Sequence, residues 1–173
     1  MISPRVETIL AELGIAPDFI TGRGLPECAE ACTLEVVQTD PDGREYLLTP
    51  EAAAAWRAMQ AAALDDGIEL QVVSAFRSID RQAGIIRRKL EAGQCIDDIL
   101  CVSAPPGFSE HHTGRAVDVG TPGSPVLETA FEQTAAFAWL VANAGRFGFR
   151  MSYPENNRWG YQYEPWHWCH HAA

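Results

Sequence analysis

Apolar residues recur three or four positions apart in several stretches of the chain, which is the spacing of one helix face. The first stretch places Ile9, Leu10 and Leu13 together and ends at Gly14. Another begins at Thr49, a residue type that suits a helix N-cap, and continues through an alanine-rich segment. We predict helices over residues 1–14, 50–66, 78–92 and 128–145.

Short runs of β-branched and apolar residues indicate strands between these helices. They cover residues 34–38, 45–48, 68–74, 116–119, 147–152 and 160–168. The turn-forming sequence of residues 40–43 (DPDG) predicts a hairpin-like connection between the first two. Because strands and helices mix without the regularity of parallel βαβ units, we predict an α+β fold in which helices flank a central, mainly antiparallel sheet.

Length and composition indicate one globular domain. A chain of 173 residues is long enough to bury an ordinary core, and 47% hydrophobic with 21% charged residues is typical of globular proteins. Within this domain we expect residues 1–44 to form an N-terminal helix and strand segment that packs on a catalytic core of residues 45–173.

The charge and the apolar runs exclude several classes of protein. A formal net charge of −10 disfavours binding to nucleic acid or to anionic membrane surfaces. Charged residues interrupt residues 1–20, so we expect no signal peptide, and no run approaches the ~20 apolar residues of a membrane span.

The five cysteines leave alternatives open, since disulfides cannot use an odd number completely. Free or buried thiols in a reducing compartment are one interpretation, and a bond between Cys95 and Cys101 is another. Cys28 and Cys32 have the spacing of a helix face, but no second pair accompanies them to form a zinc knuckle.

The segment SEHHTGRAVD, residues 109–118, concentrates residue types that bind metal. His111 and Asp118 are candidate ligands on either side of a turn at Gly114. His167 is a third candidate, and three ligands of this kind are typical of a catalytic zinc site with an open position for water. Glu164, three residues before His167, is suited to accept a proton from that water.

These residues resemble the signatures of a known family. Ser109, His111, Gly114, Ala116 and Asp118 match its first motif. The segments EPWH (residues 164–167) and SAFRS (residues 74–78, followed by Gln82) match two others. The chain thus resembles, over about residues 45–168, the VanY-like zinc D-alanyl-D-alanine carboxypeptidases, LAS-type metallopeptidases grouped with D,D-dipeptidases, cell-wall endopeptidases and Hedgehog-like domains.

The resemblance implies a Hedgehog/D,D-peptidase-like fold, one Zn²⁺ and a set of residue roles. The zinc ligands would be His111, Asp118 and His167. Glu164 would be the general base, and Arg77 would hold the substrate carbonyl or the negative oxygen that develops from it. The remaining substrate-binding residues implied by the resemblance are Ser109, Gln82 (as a support for the Arg77 loop), Tyr153 and Trp166.

The chain departs from the family pattern after His167. The family usually continues with an arginine and a tyrosine, whereas this chain has Trp168, Cys169 and two histidines. A Cys169 thiolate in the fourth ligand position would make the site structural. Two further departures, Phe76 for a tyrosine and Arg115 for an apolar residue, bear on specificity. We expect His112 to be a bystander.

The resemblance therefore implies a zinc metallopeptidase that hydrolyses peptidoglycan stem peptides, releasing the terminal residue of a D-Ala-D-Ala end. A D,D-dipeptidase or an L,D-type endopeptidase is the alternative within this class, and a non-catalytic zinc-containing cell-wall binding module the alternative outside it. We expect a monomer. Its location stays open, because the substrate implies the cell envelope whereas recycling in the cytoplasm or phage release would need no signal peptide.

Overall fold

The computed structural model describes residues 2–171, and within that range it contains six α-helices and six strands. The helices are α1 (Pro4–Glu12), α2 (Pro17–Arg23), α3 (Pro50–Asp65), α4 (Ile79–Glu91), α5 (Ile96–Val102) and α6 (Ala135–Asn143). The strands are β1 (Glu35–Thr39), β2 (Glu45–Leu48), β3 (Gln71–Ser74), β4 (Ala116–Gly120), β5 (Phe149–Met151) and β6 (His167–His170). Short 3₁₀ helices span Glu110–Thr113, Thr129–Gln133 and Ala144–Phe147.

The strands form two antiparallel sheets, which confirms the predicted α+β fold. β1 and β2 form the expected hairpin, and the other four strands pair in the order β3-β4-β6-β5. In the larger sheet Asp118 of β4 is the register partner of His167 on one side and of Ser74 on the other. This register brings residues from three distant parts of the sequence to one level of the sheet.

The core divides into two apolar clusters. The first packs α3 and α6 against the larger sheet, with Trp56, Val117 and Leu140 fully buried. The second packs α1 and α2 against α4 and α5, with Ile86 and Ile99 at its centre. The first 44 residues thus supply two helices to a cluster whose other half comes from the middle of the chain.

Three predictions of secondary structure were wrong. Residues 160–166 are irregular rather than a strand, because Pro165 lacks an N–H and Gly160 has a φ of +70°. The helix predicted over 128–145 is broken at Thr134, whose hydroxyl instead caps α6 by accepting from the N–H of Phe137 at 3.1 Å. Residues 68–70 precede β3 instead of belonging to it, and α2 and α5 were not predicted.

Gly114 makes the turn between the 3₁₀ helix Glu110–Thr113 and β4, and we expect alanine there to destabilise the protein by about 3 kcal/mol. Its φ is +64°, and a Cβ atom would lie 2.8 Å from a methyl carbon of Leu34. Urea unfolding of Gly114→Ala measures the cost.

Gly43 offers a matched control in the turn between β1 and β2. Its φ is +82°, but a Cβ atom there would meet nothing within 4 Å. Gly43→Ala should therefore cost only the backbone strain, about 1 kcal/mol. Equal losses in the two variants would show that close packing around Gly114 contributes nothing.

Candidate metal centre

The larger sheet and the turn before β4 bring the three predicted ligands together. His111 lies in the 3₁₀ helix Glu110–Thr113, Asp118 in the middle of β4, and His167 at the start of β6. Asp118 Oδ2 lies 3.2 Å from His111 Nε2, and Asp118 Oδ1 lies 2.9 Å from His167 Nδ1. All three side chains are buried, and their ligand atoms lie within 4.8 Å of one another.

Each histidine is oriented by an acceptor on the side away from Asp118. His111 Nδ1 lies 2.7 Å from the carbonyl oxygen of Ala75, which can only accept, so Nδ1 carries the proton and Nε2 is free to bind a metal. His167 Nε2 lies 2.9 Å from Glu110 Oε2, which leaves Nδ1 facing Asp118. Both rings therefore present an unprotonated nitrogen when they are neutral, as metal ligation requires.

The charged groups of this cluster shift one another's pKa values. Burial alone would raise the pKa of Asp118, but the neighbouring His111 and His167 lower it. Burial alone would lower the pKa of His167, but hydrogen bonds to Asp118 and Glu110 raise it. The cluster thus holds the Asp118 carboxylate between His111 and a His167 ring that favours its positively charged form, and a bound cation would supply that positive charge in place of the proton.

The donor set fits a divalent metal of the zinc type. Two imidazole nitrogens and one carboxylate oxygen are ligands that Zn²⁺ accepts at about 2.0–2.2 Å, and three protein ligands leave an open position. Donor atoms within 4.8 Å of one another can all reach one such ion. These three residues can therefore hold a metal.

Glu164 lies beside the three ligands without belonging to them. Its Oε2 is 3.9 Å from His167 Nδ1, and a turn in which the N–H of His167 donates to the carbonyl of Glu164 holds the two residues together. Burial raises the pKa of Glu164 to about 7. A carboxylate with that pKa can take up and release a proton near neutral pH.

Arg77 is held next to Asp118 by two neutral hydrogen-bond acceptors. Its Nη1 donates to Gln82 Oε1 at 2.8 Å, and its Nη2 donates to Ser74 Oγ at 3.0 Å and lies 3.8 Å from Asp118 Oδ2. Gln82 is itself fixed, since its Nε2 donates to the carbonyl of Ala104 at 2.7 Å. The guanidinium is therefore aimed at the metal centre while part of its donor capacity stays free.

One cavity of about 580 Å³ is lined by all the residues predicted to bind metal, bind substrate or act in catalysis. Ser109 and Tyr153 are buried in its wall, and Trp166 is half-buried. The Tyr153 ring lies 4.7 Å from the His167 ring, centroid to centroid, so it backs a ligand as well as lining the cavity. The nine residues brought together are Arg77, Gln82, Ser109, His111, Asp118, Tyr153, Glu164, Trp166 and His167.

Two residues of the motif have contacts that the sequence did not reveal. Glu110 Oε2 accepts from Ser152 Oγ at 2.6 Å as well as from His167. Burial alone would raise its pKa, but His167 lowers it to about 2. His112 is fully buried, with Nδ1 2.6 Å from the carbonyl oxygen of Arg77 and Nε2 accepting from the N–H of Gly107 at 3.1 Å. His112 thus points away from the metal group, as expected, and has a structural role, because it fixes the backbone that carries Arg77.

Cys169 lies apart from the ligand group. It pairs with Ala116 in the sheet and lines a second cavity together with Cys28 and Glu110. In the part of the chain that the structure describes, the group that could hold a metal contains the three predicted ligands and no thiol. All five cysteines are free, so the structure contains no bond between Cys95 and Cys101.

A family model and a similar protein both indicate a family of carboxypeptidases. The family model described as "VanY: D-alanyl-D-alanine carboxypeptidase" matches residues 45–173. The chain is 39% identical over 122 residues to YodJ of Bacillus subtilis (strain 168), a match covering 68% of this chain and 44% of that protein. It therefore spans less than half the length of YodJ.

The fold resembles solved structures of an LD-carboxypeptidase and of VanY proteins. The LdcB LD-carboxypeptidase is 34% identical with a TM-score of 0.73, covering 84% of this chain and 71% of that one. VanYB in complex with D-alanine-D-alanine is 25% identical with a TM-score of 0.65, covering 83% and 81%. A mutant of the D,D-pentapeptidase VanY in complex with Zn(II) is 26% identical with a TM-score of 0.64, covering 83% and 82%.

Both motifs that supply the ligands, the second of which begins with Glu164, lie inside the segment matched by the family model. No helix within residues 2–171 has the length and apolar character needed to cross a membrane. From the extent of the match, the chain belongs to the VanY family of D-alanyl-D-alanine carboxypeptidases.

Proposed function

We propose that this protein is a zinc D-alanyl-D-alanine carboxypeptidase that removes the terminal residue of peptidoglycan stem peptides. The observation that carries the proposal is the position of Glu164, a half-buried carboxylate 3.9 Å from one member of a three-ligand metal group and in the same cavity. A metal site that served only to hold the fold would have no use for such a group.

The donor set and a relative support zinc as the metal. His111, Asp118 and His167 offer two nitrogens and one oxygen with an open fourth position, the pattern of catalytic zinc. The related VanY mutant was solved with Zn(II). When bound, zinc supplies Lewis acidity, which polarises a carbonyl and makes water a better nucleophile.

Glu164 would carry the proton between the attacking water and the leaving amine. Its pKa of about 7 allows it to be a carboxylate before the attack and a carboxylic acid before the amine departs. Only 15% of its side chain is exposed, which limits the access of bulk water to that proton.

Arg77 would bind the carbonyl oxygen on which negative charge develops. The guanidinium is permanently charged and held by Gln82 and Ser74, so it needs no rearrangement as the charge appears. Ser109, Tyr153 and Trp166 would form the walls that position the peptide.

An L,D-carboxypeptidase is the second candidate, favoured by the higher TM-score and identity to LdcB than to VanYB. It would use the same metal ligands, Glu164 and Arg77. The D,D activity is preferred because the family model and VanY relatives both concern D-alanyl-D-alanine or D,D-peptides.

The proposal is tested by incubating zinc-loaded protein with three substrates: a stem pentapeptide that ends in D-Ala-D-Ala, the tetrapeptide that ends in an L,D bond, and free D-Ala-D-Ala. We expect D-alanine release to be fastest from the pentapeptide. Faster cleavage of the tetrapeptide would assign the L,D activity, and faster cleavage of the dipeptide would assign a dipeptidase. Turnover of none of them by metal-loaded protein would favour the binding module.

A further inference from the structure

Helix α4 presents three different side chains to the cavity along one face. Gln82, Ile85 and Lys89 all line the cavity, and their spacing of three and four residues places them in a row. At a rise of about 1.5 Å per residue, the backbone of Lys89 lies about 10 Å along the helix from that of Gln82. Gln82 is hydrogen-bonded to Arg77, which lies next to the metal centre. Lys89, at the other end of this row, therefore places a second cation in the cavity.

Lys89 is the only lysine in the sequence, and its ammonium forms no ion pair within residues 2–171, although the charge of Glu164 acts on it from further away. Among residues 2–171, its Nζ donates one hydrogen bond, to Ser103 Oγ at 2.8 Å. The chain contains 23 acidic residues and only 13 lysines and arginines, so an unpaired cation in a cavity wall is unexpected.

The surroundings of Lys89 make its charge available to a ligand. The side chain is half-buried, and burial and the charge of Arg77 lower its pKa by more than the charge of Glu164 raises it. Glu128 lines the same cavity but forms no ion pair with Lys89 in the described part of the chain. A carboxylate entering the cavity would relieve the cost of keeping this ammonium partly out of water.

We propose that Lys89 binds a second carboxylate of the stem peptide, located on the acyl part about 10 Å from the reacting carbonyl. An extended peptide covers about 3.4 Å per residue, so three residues span the distance from Gln82 to Lys89 along α4. The terminal carboxylate of the leaving residue is only one residue from the reacting carbonyl, and all three peptides below contain it, so a loss specific to one peptide distinguishes it from a carboxylate on the acyl part. The inference rests on the proposed function and assigns a substrate preference to the same cavity.

Two carboxylates of a stem peptide meet this description, and matched peptides distinguish them. The first peptide has diaminopimelate at the third position and a free α-carboxylate on the D-glutamyl residue. The second has L-lysine in place of diaminopimelate, and the third has an amide in place of the D-glutamyl α-carboxylate. The measured quantity is kcat/KM for D-alanine release by the zinc-loaded protein, its Lys89→Met and Lys89→Arg variants, and Arg88→Met.

Arg88→Met is the matched control, because it removes one positive charge from the adjacent, exposed position of α4, outside the cavity. We expect Lys89→Met to lower kcat/KM about tenfold on the first peptide, mostly through KM, and Lys89→Arg to retain most of it. On the one peptide that lacks the bound carboxylate, Lys89→Met and wild type should become equal. Equality on the lysine peptide assigns the diaminopimelate carboxylate, and equality on the amidated peptide assigns the D-glutamyl carboxylate.

Other results would overturn the inference. An equal loss on all three peptides would mean that Lys89 binds a group common to them or supports the fold, and a loss matched by Arg88→Met would reduce its effect to net charge. Unchanged kinetics of Lys89→Met on every peptide would remove Lys89 from recognition. If wild type cleaves none of the peptides, the proposed function fails and the inference falls with it, an outcome that is distinct from cleavage without discrimination.

Discussion

Replacing Glu164 by glutamine should lower kcat for D-alanine release by about 10²–10⁴-fold while the protein retains its metal. Glutamine keeps the size and the buried position of the side chain but cannot accept a proton from water. Glu164 is not one of the three residues whose ligand atoms cluster within 4.8 Å, so its replacement leaves the ligand set complete.

Two measurements on the same preparation test this expectation. Steady-state kinetics on the stem pentapeptide give kcat, and metal analysis after dialysis gives the bound zinc per chain. Glu155→Gln, the same chemical change at an exposed position of the loop between Tyr153 and Glu164, should leave both unchanged. Activity of Glu164→Gln within a few-fold of wild type would exclude Glu164 as the general base.

The metal ligands were predictable because they lie in two short motifs, residues 109–118 and residues 164–167. His111 and Asp118 are seven residues apart with a glycine turn between them, and His167 ends the EPWH segment that matches a second motif of the family. The spacing of hydrophobic residues along the chain could not predict that β4 pairs with β6, or that the register of this pairing places Asp118 opposite His167. That pairing joins strands 49 residues apart and depends on packing across the whole sheet.

The contacts missed from the sequence have a common physical cause. Glu110 and His112 flank a ligand, but a 3₁₀ turn directs neighbouring side chains to different sides, so Glu110 reaches His167 while His112 reaches the backbone of Arg77. Short elements were missed for a related reason, since α2 and α5 contain seven residues each and two turns give little periodicity.

Replacing Glu110 by glutamine should weaken zinc binding by about 10–100-fold. Glu110 accepts from His167 Nε2 at 2.9 Å, which fixes the ring and leaves Nδ1 for the metal. The carboxylate also makes the imidazole a stronger donor to a cation, and glutamine keeps an acceptor oxygen but loses that charge. Competition with a chromophoric chelator measures the dissociation constant without any need for turnover.

A graded series separates the charge of Glu110 from its geometry. Ser152→Ala removes the other hydrogen bond to Glu110 Oε2 and should have a smaller effect than Glu110→Gln, whereas His167→Ala removes a ligand and sets the upper limit. Glu110→Ala should fall between Glu110→Gln and His167→Ala, because it loses both the charge and the acceptor. If Glu110→Gln bound zinc as tightly as wild type while Glu110→Ala did not, ring orientation alone would account for the effect. If Glu110→Gln and Glu110→Ala both bound zinc as tightly as wild type, then Asp118 and the packing of Tyr153 would be enough to hold His167 in place.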